Sequence, residues 1–345
     1  MNPINRAIST LDEFTIQSLR AIPNATGELS TLLRDIGLAA KRVNVAVNKA
    51  GLVDILGDVG TINVQGEDVK KLDLFANNQF VGVLQHGISC AGVASEELDD
   101  FVGFDDDLSR QSKYICHFDP LDGSANIDTN VSIGTIFSVY RRISKQGSDV
   151  VEADFLQKGR QQVAAGYIVY GSSTMLVYAT RRGVNGFTLD PSIGEFCLSH
   201  PDIRCPEIGK IYSVNHGNFF QYSKGVQAYI TLCQHKSRDT GEAYTQRYIG
   251  SLVADVHRNL IKGGIFMYPG MADKPSGKLR LMYECNPFAF IAEVAGGKSS
   301  DGEGQSILDV EPKSLHQRTP FFVGSKAMMN ELEWCLAKQH ETIGE

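Results

Sequence analysis

Apolar positions recur at spacings of three and four over Leu29, Leu32, Leu33, Ile36, Ala40, Val43 and Val47, which predicts an amphipathic helix. Thr26 is expected to cap it, with Glu28 in its first turn beside the positive end of the helix dipole. A second such stripe runs through Val69, Leu72, Ala76, Phe80 and Val83. Between the two, the glycine-rich, polar stretch from Gly51 to Asp68 reads as a mobile loop.

From Tyr114 the period changes to short β-rich runs, YICHF, TIFSVY, VAAGYIVYG and MLVYAT. In GVNGFTLD the Asn185-Gly186 pair between apolar flanks predicts a hairpin turn, hence an antiparallel part of the sheet. After the polar stretch His200 to Gly209, IYSVN reads as a strand and Ser251 to Lys262 as a helix stopped by Gly263 and Gly264. IFMY and KLRLMY read as two further strands. Asn286-Pro287 then opens a helix that Gly296-Gly297 ends. The mixed order predicts an α/β fold of two sheet-and-helix units, 1–203 and 204–345, with no internal repeat.

Composition narrows the partners. The 345 residues, 42% hydrophobic and 21% charged, suit an ordinary globular chain of about two domains. A formal charge of -7 without basic clusters argues against nucleic acid as a partner. The first residues lack a signal-peptide pattern, and no apolar run approaches the roughly 20 residues that span a bilayer. No membrane partner is expected. The 7 cysteines are scattered without a CxxC pair, which predicts reduced thiols and a cytoplasmic location.

The candidate chemistry is acidic. Asp119-Pro120-Leu121-Asp122-Gly123-Ser124 follows the strand YICHF directly, so a proline-fixed turn is expected to present both aspartates on one side, the Leu121 carbonyl between them. The Gly123 and Ser124 amides are then free to face an anion. Glu96-Glu97 follows another apolar run, GVAS, and Glu284 stands at the end of KLRLMY. Glu67, Asp68 and Asp73 add acids on the loop and the helix after it. Gathered together, such groups repel one another unless hard cations neutralise them, and two or three Mg²⁺ ions would do so. A metal pair that clamps the attacking and leaving oxygens matches what phosphate-ester hydrolysis requires, with accelerations reaching about 10²¹.

The DPLDGS run resembles the signature of the Mg²⁺-dependent, lithium-sensitive sugar-phosphatase and inositol-phosphatase superfamily, whose layered fold alternates α-β-α-β-α. TGELSTLL, GTINVQGEDVKKLD, SEE, CHFDPLDGSANID, SIGTIFSVYR, AAGYIVYGSSTML, RYIGSLVADVHRN, GGIFMYP and GKLRLMYECNP together resemble the class I fructose-1,6-bisphosphatase family, from about Thr26 to the HQR near residue 318. The resemblance implies release of the 1-phosphate of fructose 1,6-bisphosphate, a gluconeogenic step, using Mg²⁺ with Mn²⁺ or Zn²⁺ as substitutes. It implies metal ligands at Glu96, Asp119, Leu121, Asp122, Glu284 and Glu67, and water activation by Glu97 and Asp73. The 1-phosphate would meet Gly123, Ser124 and Arg280. The 6-phosphate would meet Asn215, Tyr248, Tyr268 and Lys278, with Arg247 reaching in from a neighbouring subunit of a homotetramer.

The resemblance also implies inhibition by AMP at Thr26, Glu28, Ser30, Lys113, Tyr114 and Arg141. Thr26 to Ser30 opens the first predicted helix, whose free amides suit a phosphate, and Lys113 and Arg141 are cations near predicted strand ends. Three departures stand out. Glu67 replaces the aspartate of some members; His216-Gly217-Asn218-Phe219 lacks the 6-phosphate tyrosine of animal members; and SKQGSDVVEADFLQKGR lacks the cysteine-bearing insertion of light-regulated chloroplast enzymes, which argues against thiol control. The alternatives are a sedoheptulose-1,7-bisphosphatase, an inositol monophosphatase-like enzyme, or a catalytically silent regulatory protein on the same fold.

Overall fold

The structure, a computed structural model, describes residues 8–20, 26–50, 52, 58–62, 68–235 and 243–341. Strand Tyr114–Asp122 is buried along its whole length, because both of its faces are covered. Ile115 faces one core, while Cys116 and Phe118 face another. The strand lies inside an eight-stranded sheet. From one edge, this sheet runs Glu195–His200, Gly183–Asp190, Thr174–Thr180, Gln162–Tyr170, Ile133–Arg141, Tyr114–Asp122, Gly92–Ser95 and Val102–Gly103. All neighbours are antiparallel except Gly92–Ser95 and Tyr114–Asp122.

One face of this sheet packs against helices α1 (Leu11–Leu19), α2 (Glu28–Val47) and α3 (Lys71–His86) through Leu32, Ile36, Leu72, Phe80 and their neighbours. Short helices α4 (Asp107–Gln111) and α5 (Glu152–Phe155) lie in connections. A five-stranded sheet follows, in the order Thr245–Gln246, Ile211–Ser213, Ile265–Tyr268, Phe321–Gly324 and Lys298–Ser300. Its outer face is covered by α6 (Lys224–Gln234) and α9 (Lys326–Glu341), through Val226, Tyr229, Met329 and Leu332. Helices α7 (Leu252–Lys262) and α8 (Asn286–Val294) are sandwiched between the two sheets, sharing one core with both. The expected α-β-α-β-α layering is thus the architecture.

Four local expectations are corrected. Asn185-Gly186 is no turn: Gly183–Asp190 is one strand and the chain reverses at Arg181-Arg182, with Gly183 at φ 144. Gly186 is there for close packing, since a Cβ would stand 3.1 Å from that of His200. KLRLMY is not a strand. From Leu279 through its last residue, Tyr283, and on to Glu284 the chain is buried, a case in which apolar runs do not reveal their period, and Leu281–Cys285 form a π-helical turn. The second helix begins at Lys71, with Val69 in a strand before it. Within the expected loop 51–68, strand Asp58–Ile62 pairs antiparallel with Asp68–Lys70.

Candidate active site

The parallel pairing of Ser95 with Phe118 brings two strand ends to the same edge of the sheet, and the Glu96 amide donates to the Phe118 carbonyl at 3.1 Å. Glu96-Glu97 and Asp119 therefore emerge side by side, as carboxylates at the C-terminal ends of neighbouring strands. The ladder to Ile133–Arg141 slips between Asp119 and Asp122, an irregularity that turns both carboxyls toward one point. The π-turn supplies the third. There Glu284 and Cys285 amides both donate to the Arg280 carbonyl, at 3.2 and 3.0 Å, and the extra residue aims Glu284 inward. Carboxylate oxygens of Asp119, Asp122 and Glu284 lie within 4.8 Å of one another.

Each acid is braced by donors. Asp122 accepts from Ser251 Oγ at 3.1 Å and the Val253 amide at 2.9 Å, which points the N-terminus of α7 at the carboxylate. Asp119 accepts from the Leu121 amide at 2.9 Å, and Glu284 from the Arg280 amide at 2.6 Å. The Arg280 guanidinium stands 2.5 Å from Glu96. Asp73, in the first turn of α3, accepts from the Lys70 amide at 3.2 Å and hydrogen-bonds Ser124.

Burial pushes the Asp122 carboxyl up to about 7, with Glu96 and Asp255 adding to the rise. Burial, then repulsion by Glu96 and the other acids, holds Asp119 and Glu284 well above the usual carboxylate range. Asp73 is pushed up to about 8 by burial and then by Glu97. Carboxyls so placed favour protons or hard cations over empty space, and an all-oxygen donor set of this kind fits Mg²⁺.

These residues line a cavity of about 570 Å³. Asp73, Glu96, Glu97, Asp119, Leu121, Asp122, Gly123, Ser124, Tyr248, Tyr268, Lys278, Arg280 and Glu284 all face it. Gly123 adopts φ 79 and opens a 3₁₀ turn, Ser124–Thr129, whose first amides lack partners within the turn. Burial and the nearby Tyr268 hold the Tyr248 phenol above its ordinary range. Asn215 and Arg247 are not on the cavity wall: Asn215 accepts from the Gly217 amide at 2.9 Å, and the exposed Arg247 donates to the Gln246 carbonyl at 3.2 Å. Glu67 lies outside the described residues.

Sequence reasoning missed the supports. Lys70 and Asn126 line the cavity, Ser251 braces Asp122, and Asp255 takes the Ile249 and Gly250 amides and so holds the turn behind Tyr248. Ser251 was legible as a helix start, and its three-dimensional partner was not. At the other end of strand Tyr114–Asp122, Lys113 Nζ donates to Glu28 at 2.7 Å and Thr26 at 3.1 Å. Gly27, not Thr26, takes the capping position of α2, at φ 85. Ser30 lies in the first turn of α2, and Arg141 pairs across the strands with Tyr114, its guanidinium 5.7 Å from the ring centre.

Residues 9–201 match the family described as fructose-1-6-bisphosphatase, N-terminal domain, and residues 205–337 its C-terminal domain. The holo-form crystal structure of Leishmania major fructose-1,6-bisphosphatase is similar at 38% identity and a TM-score of 0.87, over 96% of this chain and 99% of that one. Among the described residues, no helix is long and apolar enough to cross a membrane.

Proposed function

From the premise that the chain belongs to the fructose-1,6-bisphosphatase family, and is therefore a phosphatase of carbohydrate metabolism, we propose that it removes the 1-phosphate of fructose 1,6-bisphosphate with Mg²⁺ bound. The observation that carries this reading is the convergence of Asp119, Asp122 and Glu284 beside the Gly123–Ser124 turn in one cavity. Glu96, Asp119, Asp122, Glu284 and the Leu121 carbonyl would hold the metal, which when bound supplies charge to the phosphoryl oxygens and an acidified water. Mn²⁺ or Zn²⁺ could replace it.

Gly123, Ser124 and Arg280 bind the 1-phosphate in this reading, and Tyr248, Tyr268 and Lys278 the far phosphate across the cavity. Glu97 and Asp73 orient the attacking water and take its proton as the new P–O bond forms and the P–O bond to the sugar breaks. The departing sugar oxygen takes a proton from solvent. Burial and the neighbouring Glu97 raise Asp73 above the ordinary carboxylate range, so its carboxylate is a stronger base than that of an exposed aspartate. Residues 1–203 would carry most of these acids and an AMP site, and 204–345 the far-phosphate site and Glu284. Asn215 and a neighbouring subunit's Arg247 would complete that site in a cytoplasmic homotetramer.

A panel of sugar bisphosphates and monophosphates with added Mg²⁺ tests the proposal. Phosphate should be released fastest from fructose 1,6-bisphosphate and not at all after chelation. Preference for inositol monophosphate, or turnover unaffected by chelator, would overturn it.

A further inference from the structure

Arg280 sits at the entrance to the π-turn with 3% of its surface exposed, and it touches two of the acids in different ways. Its amide holds Glu284 at 2.6 Å and its guanidinium holds Glu96 at 2.5 Å. Among the described residues, three cations line the cavity beside six carboxylic residues: Lys70, Lys278 and Arg280 against Asp73, Glu96, Glu97, Asp119, Asp122 and Glu284. Lys278 is exposed, and Lys70 reaches Asp128 at 3.4 Å. Arg280 is thus the cation buried with the acids.

A buried guanidinium stays charged and needs an anion; Glu96 is in direct contact with it, and Glu284 also feels its charge. Arg280 contacts Oε1 of Glu96, and a divalent cation on the same carboxylate would be pressed against that guanidinium in a medium that screens little, so each weakens the other's hold. We propose that Arg280 and a divalent metal ion are alternative partners for Glu96, and that metal binding transfers the guanidinium from Glu96 to the substrate's phosphate. This inference rests on the metal-dependent reading above. The planar fork that fits a carboxylate fits two phosphate oxygens equally well, so the released group finds an equivalent anion within the same cavity. Metal and phosphate then strengthen each other's binding, and by linkage the coupling has the same size whichever binds first. Arg280 belongs to the metal site as its internal counter-ion as well as to the phosphate site.

The test measures Mn²⁺ binding by the electron paramagnetic resonance of the free ion, in the full-length protein with no substrate present. Arg280→Met should bind Mn²⁺ about tenfold more tightly than the parent, within the usual range of coupling factors. Arg280→Lys, which keeps the charge, should stay near the parent. Inorganic phosphate should tighten Mn²⁺ binding by a larger factor in the parent than in Arg280→Met. Should Arg280→Met fail to fold, Arg280→Gln carries the same expectation. Unchanged or weaker Mn²⁺ binding in the neutral variant would overturn the exchange while leaving the metal site standing. Failure of the parent to bind Mn²⁺ at all would overturn both readings.

Discussion

The Asp122 carboxylate accepts hydrogen bonds from Ser251 Oγ and the Val253 amide, so it belongs both to the acid cluster and to the N-terminus of α7. Truncation to alanine would mix these contributions, removing an anion at a helix start at a cost of about 1 kcal/mol. Asp122→Asn separates them, because an amide oxygen still accepts from Val253. Activity should fall to background, while the chelated variant melts no lower than the parent. Its carboxyl near 7 is raised above the unfolded value, so the folded state binds the extra proton. The contribution of these acids to stability in chelator is therefore full at low pH and lost as pH rises, for Asp122 from about 4 to 7 and for Asp73 up to about 8, with the raised Asp119 and Glu284 adding to the fall. Melting in chelator should show this fall with pH, flattened in Asp122→Asn. Saturating Mg²⁺ should reverse the slope, because metal binds the deprotonated acids. A chelated parent whose melting temperature rises across that window would contradict the assigned shifts. Glu97 is argued to act on the water alone, so Glu97→Gln should lower kcat with little change in KM. A large rise in KM at constant kcat would make it a substrate contact instead.

At the scale of elements, the site depends on where three chain segments end: the strand Tyr114–Asp122, the start of α7 and the π-turn. Gly123 joins the first two. It adopts φ 79, and a Cβ there would lie 3.1 Å from the Ser251 Cβ. Gly123→Ala should cost about 1–2 kcal/mol in backbone strain and also displace Ser251 from Asp122, with loss of most activity. Gly194→Ala is the control, since Gly194 has φ 70 with nothing within 4 Å. It should lower the melting temperature alone. Equal activity losses in the two would sink the link through Ser251. The strand and α7 were legible in the chain, because an apolar run and a serine-started stripe ended by two glycines each have one local solution. The strand's acids, Asp119 and Asp122, were legible too, as carboxylates at a predicted element end. The π-turn was not. Its five residues are all buried, and the bond that distinguishes it from a strand, Cys285 to Arg280, leaves no mark on composition. Nor could periodicity show that Ser95 lies beside Phe118, the register that sets Glu96 next to Asp119.

On the scale of the whole molecule, the strand Tyr114–Asp122 is the shortest covalent route between two ionic clusters. Its last residue is in the acid cluster; its first adjoins Lys113, which pairs with Glu28 at the start of α2. At roughly 3.3 Å per residue the two ends lie about 26 Å apart, so a ligand at Lys113 touches nothing in the cavity. AMP is the proposed ligand there. Its phosphate would compete with Glu28 for the Lys113 ammonium, freeing one end of α2 from the edge of the strand. That gives nucleotide binding a contact to break, which is the differential interaction any shift of state requires. With substrate and Mg²⁺ fixed, AMP should inhibit, and raising fructose 1,6-bisphosphate should not relieve it. Lys113→Ala and Arg141→Ala should each weaken inhibition several-fold with little effect on turnover in its absence. Glu28→Gln should do the opposite and tighten it, because the competing carboxylate is gone while the ammonium remains. Insensitivity of the parent, or inhibition that substrate competes away, would remove the separate site. A Glu28→Gln variant less sensitive to AMP than the parent would show instead that Glu28 holds the nucleotide rather than excludes it.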